Sequence, residues 1–172
     1  TTPTDSSAAS DVYKRQVKDN NSHALAECMS DQTLFGKIIA GEIPSHRVAS
    51  GDNWYAFLDI FPRRQGHTLV VPHKQVTNLS GLNDSEIADL FAGVKIVQSK
   101  LSAVFSTTDF TICIHDGPLA GQEVPHVHIH IIPRTPGDGG GTLMAMWPNN
   151  QSVAEPNHQE LAELAAKLNG VL

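Results

Sequence analysis

Apolar positions change period several times along the chain. Leu34, Phe35, Ile38 and Ile39 recur at helical spacing, and Gly41 with Pro44 ends that short element. Three strand-like runs follow, from His46 to Ala49, Trp54 to Ile60 and Thr68 to Val71. Gly51-Asp52-Asn53 marks a turn between the first two, and Pro62 to Gly66 separates the next pair. Asn83 caps a long helix, with Glu86 at capping-box spacing. Ile87, Leu90, Phe91, Val94, Val97, Leu101 and Val104 give that helix one apolar stripe, which reads as core. Phe110 to His115 is the next strand, followed by a loop from Asp116 to Pro125. Strict alternation then returns in His126-Val-His128-Ile-His130-Ile-Ile, a strand stopped by Pro133. The stretch from Pro136 to Gly141 is too glycine-rich to be regular. Asn157 with Glu160 repeats the capping-box spacing ahead of Leu161, Leu164, Ala165 and Leu168, an amphipathic helix that needs a surface to dock on.

Strands clustered around one long helix predict an α+β protein with a largely antiparallel sheet. Residues 1–30 are rich in Thr, Ser, Asp, Asn and Ala without periodicity, and read as a disordered leader or non-native extension, with Met29 a candidate start. The expected domain covers 31–145, and 146–172 form a C-terminal tail carrying the amphipathic helix.

Composition narrows the function classes. The 172 residues are 40% hydrophobic with a formal net charge of −6, and the pI is near 5.8. That balance argues against a general binder of nucleic acid or anionic membrane, though a local phosphate site needs only a few donors. Cys28 and Cys113 read as unpaired thiols of a reducing compartment. With no long apolar run and no signal-like N-terminus, the expected location is cytoplasmic.

The alternating run puts three imidazoles on one strand face and Val127, Ile129 and Ile131 on the other. A polar sheet face is ordinarily met with Thr, Ser, Lys or Glu, so three histidines mark a site. Metal binding is one reading. Three histidines in an extended strand span about 13 Å at about 3.3 Å per residue, whereas Zn–N bonds are about 2.0–2.1 Å. One ion can therefore take two of them at most, and no Cys-x-x-Cys supplies the rest. A nucleophilic His128, flanked by His126 and His130 as donors to an anion, fits better: attack on phosphorus gives a phosphoimidazole that water can hydrolyse. Gly117 and Gly121 in the preceding loop add backbone donors for phosphate oxygens. A non-catalytic nucleotide-binding or scaffold protein stays open beside these two.

The run, with Gly121-Gln122 upstream, resembles the signature of the histidine triad (HIT) family. Thr33 to Pro44 resembles the family's opening segment, Ala56 to Pro62 its nucleoside-binding strand, and Gly66 to Pro72 the strand with its fourth histidine. The resemblance implies a HIT fold with a five-stranded antiparallel sheet, one long and one short helix plus the C-terminal helix, and a homodimer in which the two sheets run together. It also implies purine nucleotide substrates cleaved at the α-phosphate through a nucleotidyl-histidine, with no cofactor and no metal required. By that resemblance His128 is the nucleophile, while His126, His130 and His67 support it. Asp59 takes the ribose; Phe35, Ile38, Leu58 and Ile60 form the slot for the base; Gln122 and the backbone of Glu123 and Val124 hold phosphate.

Several positions depart from the family pattern. Thr33 and Gly36 stand where zinc-binding members carry cysteines. His115 occupies a position usually Asn or Gln, and Leu58 one that is histidine in the phosphoramidase branch. Glu123 replaces a Ser or Thr; as a carboxylate it is expected to turn outward and bind through its N–H. The opening segment leans toward the Hint-like phosphoramidases, and the loop from His115 to Gln122 toward the Fhit-like dinucleoside polyphosphate hydrolases. The C-terminal helix resembles that of bacterial members of broad or undefined substrate range.

Overall fold

The computed structural model describes residues 32–141 and 157–169. The leader, Met29, Cys28 and the expected boundary at 145/146 lie outside these residues. Two compact units divide the chain after Pro136.

In the first unit the order is helix α1 (Leu34–Ile39), strands β1 (Arg47–Ser50), β2 (Trp54–Leu58) and β3 (Thr68–Pro72), helix α2 (Asp84–Phe105), then β4 (Phe110–Ile114) and β5 (Ile129–Pro133). The strands form one sheet in the order β1-β2-β3-β5-β4, and every neighbouring pair is antiparallel. Two short 3-10 turns, Leu79–Gly81 and Pro118–Ala120, sit where no periodicity announced them.

Period-2 alternation sends side chains to both faces, and each face has its own helix. On one side Trp54, Ala56, Val70, Val127, Ile129 and Ile131 pack against Leu90, Val94, Val97 and Leu101 of α2. Each large side chain buried there contributes about 1.5–3 kcal/mol. The capping box Asn83/Glu86 forms as the sequence predicts. The apolar stripe is broader than the buried contact, however, because Phe91 and Val104 face outward. On the other side Phe57, Leu69 and Val71 pack against Leu34, Phe35 and Ile38 of α1. The histidines belong to this second face.

Three strands are shorter than expected, β4 by one residue at Ile114 and the other two by more. The second ends at Leu58, because the Asp59 carboxylate turns the chain by accepting the Phe61 N–H at 2.9 Å ahead of Pro62. The histidine strand is paired only from Ile129 onward. Ile129 faces Val70 on one side and Ile114 on the other; β4 ends at Ile114, while β3 continues to Pro72, paired there with β2 alone. His126 and His128 therefore lie just before the ladder, held by loop contacts such as Val127 N–H to the Val76 carbonyl at 2.8 Å.

The second unit contains helix α3 (His158–Asn169), whose N-terminus is capped by Asn157 accepting the Glu160 N–H. Leu161, Leu164 and Leu168 are exposed.

Candidate functional site

The tautomer of His128 follows from one bond. Its Nδ1 lies 2.7 Å from the carbonyl oxygen of His126. A carbonyl only accepts, so Nδ1 carries the proton and Nε2 keeps a lone pair. The ring is buried, and Phe35 packs edge-on against it with centroids 5.2 Å apart.

His126 serves as the footing of this arrangement. It is wholly buried, with Nε2–H donating to the Pro72 carbonyl at 2.9 Å and Nδ1 accepting from the Thr33 hydroxyl at 2.6 Å. The Thr33 oxygen also accepts the Gly36 N–H at the start of α1. One side chain thus caps the helix and fixes the ring whose carbonyl orients His128. Both His126 nitrogens are committed to the protein, and His126 does not line the hollow described below.

His130 and His67 form a second linked pair. Nε2 of His67 is 2.9 Å from Nδ1 of His130. Nδ1 of His67 meets both the Arg63 N–H and the Asp59 carboxylate, each at 3.3 Å. With Nδ1 accepting from Arg63, Nε2–H donates to His130, whose own proton then sits on Nε2 as a donor.

Burial holds all four of these imidazoles below their ordinary range. His126 is brought down to about 4 by burial, against the opposing pull of the Pro72 carbonyl. His130 falls to about 3 through burial, reinforced by His128, His67, His115 and Arg63. His128 is lowered by burial too, with the His126 carbonyl, Asp59 and Glu123 opposing. His67 is lowered by burial, and the Asp59 carboxylate partly offsets that. Neutral imidazole is the nucleophilic and proton-accepting form.

A hollow of about 180 Å³ opens in front of these rings, lined among others by Phe35, Asp59, His67, His115, Glu123, Val124, His128 and His130. A smaller apolar recess of about 40 Å³ adjoins it, lined by Phe35, Ile38, Leu58, Asp59 and Ile60 among others. Asp59 and Phe35 border both. Nearly all the residues singled out in the sequence therefore meet at two joined hollows.

Gln122 does not reach either of them. Its Oε1 accepts the Gly117 N–H at 3.1 Å and its Nε2 donates to the Thr77 carbonyl at 2.7 Å, so it ties its own loop to the segment between β3 and α2. Glu123 is exposed as expected, but it borders the hollow and its charge is close enough to favour a proton on His128. It has not turned away from the site. Sequence reasoning missed Thr33 as the anchor of His126, and it missed Arg63, Phe61 and Cys113 at the hollow. Cys113 is a free thiol whose pKa burial raises. A strand residue directly opposite His130, as Cys113 is, could have been found from the register. Asp59, His67 and His130 offer ligand atoms within 4.8 Å of one another, the one such metal-competent group among the described residues.

A family model described as HIT domain matches residues 40–137. An asymmetrical bis(5'-nucleosyl)-tetraphosphatase of Schizosaccharomyces pombe is 42% identical over 64% of this chain and 59% of its own length. An adenosine 5'-monophosphoramidase of Saccharomyces cerevisiae is 32% identical over 80% of this chain and 83% of its own. Among solved structures, a protein of Streptococcus mutans UA159 superposes with a TM-score of 0.72 at 32% identity, covering 85% of this chain and 88% of that one.

Proposed function

The chain belongs to the HIT domain family, and from that premise we propose that it is a hydrolase of purine nucleotides, cleaving nucleoside phosphoramidates or dinucleoside polyphosphates at the α-phosphate through a nucleotidyl-His128 intermediate. The observation that carries this reading is the 2.7 Å bond from His128 Nδ1–H to the His126 carbonyl. It leaves an unprotonated Nε2 on a ring that borders the hollow, with no hydrogen-bond partner for that nitrogen among the described residues.

In the first displacement the Nε2 lone pair forms a bond to the α-phosphorus, and the bond to the leaving group breaks with its electron pair. A phosphate chain departs as the anion; an amine takes one proton from solvent as it leaves, which the hydrolytic step returns. The phosphorylated ring is an imidazolium, and its Nδ1–H stays against the His126 carbonyl, which stabilises the positive charge. Water then attacks phosphorus, the Nε2–P bond breaks with its pair returning to nitrogen, and a nucleoside monophosphate and a proton are released. His130, oriented by His67, donates to a non-bridging oxygen as charge develops.

The two joined hollows support the same substrate orientation. The apolar recess at Ile38, Leu58 and Ile60 suits the base and Asp59, bordering both, suits a ribose diol, while His128 and the backbone at Glu123 and Val124 take the phosphate. His115 adds a side chain at the phosphate end. The reading includes a homodimer joined through a sheet edge, supported by β4 ending the sheet with Ile112 exposed; it needs no redox cofactor.

The test is His128→Asn, assayed on an adenosine phosphoramidate and on diadenosine tri- and tetraphosphate. Turnover should fall by orders of magnitude while nucleotide binding and fold persist, and the parent should show a burst of leaving group. Hydrolysis of these substrates by the variant at the parent rate refutes the nucleophile assignment.

A further inference from the structure

We propose that the Arg63 guanidinium holds the departing phosphate chain, making this site selective for dinucleoside polyphosphates over phosphoramidates. The inference rests on the hydrolase reading above and concerns which leaving group that site prefers.

The charges around the hollow carry the argument. Among the residues that line it, Arg63 is the one Lys or Arg, against the carboxylates of Asp59 and Glu123. One oxygen of the Asp59 carboxylate accepts the Phe61 N–H at 2.9 Å, and the other lies 3.3 Å from His67 Nδ1. Arg63 is exposed and makes no ion pair with a described residue, so its guanidinium is available to a ligand. Its backbone is nevertheless anchored to the site through the N–H bond to His67 Nδ1 at 3.3 Å. Its charge is also felt there, since Arg63 helps to depress the proton affinity of both His67 and His130.

A neutral imidazole cluster flanked by two carboxylates is a poor host for a polyanion unless a cation answers it. Cleaving a dinucleoside tetraphosphate at the α-phosphorus expels a nucleoside triphosphate, a highly charged chain that leaves through the mouth of the hollow. A phosphoramidate expels an amine, which has nothing for a guanidinium to hold. A phosphate chain offers paired oxygens matching the guanidinium fork, and the contact strengthens as charge moves onto the leaving oxygen.

The experiment compares kcat/KM for diadenosine tetraphosphate and for an adenosine phosphoramidate in the parent, Arg63→Gln and Arg63→Lys. The tetraphosphate-to-phosphoramidate ratio should fall about tenfold or more in Arg63→Gln, and Arg63→Lys should recover part of it. An unchanged ratio, whether both substrates lose equally or neither does, overturns the role of Arg63 while leaving the hydrolase reading intact. A parent that turns over neither substrate overturns the hydrolase reading, and this inference with it.

Discussion

Replacing Thr33 with valine removes one oxygen and almost no volume, yet that oxygen serves two elements at once. It accepts the Gly36 N–H at 3.0 Å, which caps α1, and its hydroxyl donates to His126 Nδ1 at 2.6 Å. Loss of an N-cap costs about 1 kcal/mol. Leaving a buried acceptor unpaired costs about 1–3 kcal/mol more, and His126 has no solvent exposure through which water could replace the lost donor. The sum is about 2–4 kcal/mol, equivalent to a fall in Tm of roughly 5–15 °C for a chain of this size. Urea denaturation followed by circular dichroism measures it, with Thr33→Ser as the variant that keeps the hydroxyl and should lie close to the parent. Because the His126 carbonyl orients His128, Thr33→Val should also lower kcat when assayed well below its midpoint. A loss under about 0.5 kcal/mol, the scale of an ordinary surface substitution, refutes the dual role of this side chain.

Two further outcomes follow from the packing and the buried rings. At Gly93→Val the new Cβ would stand 2.5 Å from Trp54 Cδ2, an overpacking that should cost about 1–3 kcal/mol; a urea midpoint equal to the parent's shows that α2 can move away from the sheet. The depressed histidines set the acid limb of stability. Their folded-state pKa values lie below the unfolded ones, with His126 at about 4 and His130 at about 3, so the unfolded chain takes up protons first as pH falls. Stability is then full above about pH 6.5 and declines below it, by up to about 1.4 kcal/mol per pH unit for each such ring, with His126 ceasing to add to the slope near pH 4. Urea midpoints between pH 7.5 and 4.5 measure this slope, and a flat profile contradicts the burial of the rings.

Much of the architecture was legible because local rules suffice for it. The Asn83/Glu86 box, the helix at Leu34 with its stop at Gly41, and the alternation of Val127, Ile129 and Ile131 each rest on neighbours a few positions apart. The three histidines announced a site for the same reason: period 2 alone puts them on one face.

Their inequality is another matter. In sequence His126 and His130 are equivalent flanks of His128, and only the fold separates them. His126 is sealed between Thr33, 93 positions away, and Pro72, whereas His130 meets His67, 63 positions earlier and just ahead of β3. Gln122 looked like a phosphate ligand, but its amide links Gly117 to Thr77, and Arg63 lay unremarked in the separator from Pro62 to Gly66 until folding placed it at the hollow. The sequence alone determined which residue types could do the chemistry and which face of the chain they share. Tertiary structure decided which nitrogen holds a proton, which ring touches the hollow and which cation stands beside it, because each of those depends on a partner brought close by folding rather than by spacing along the chain.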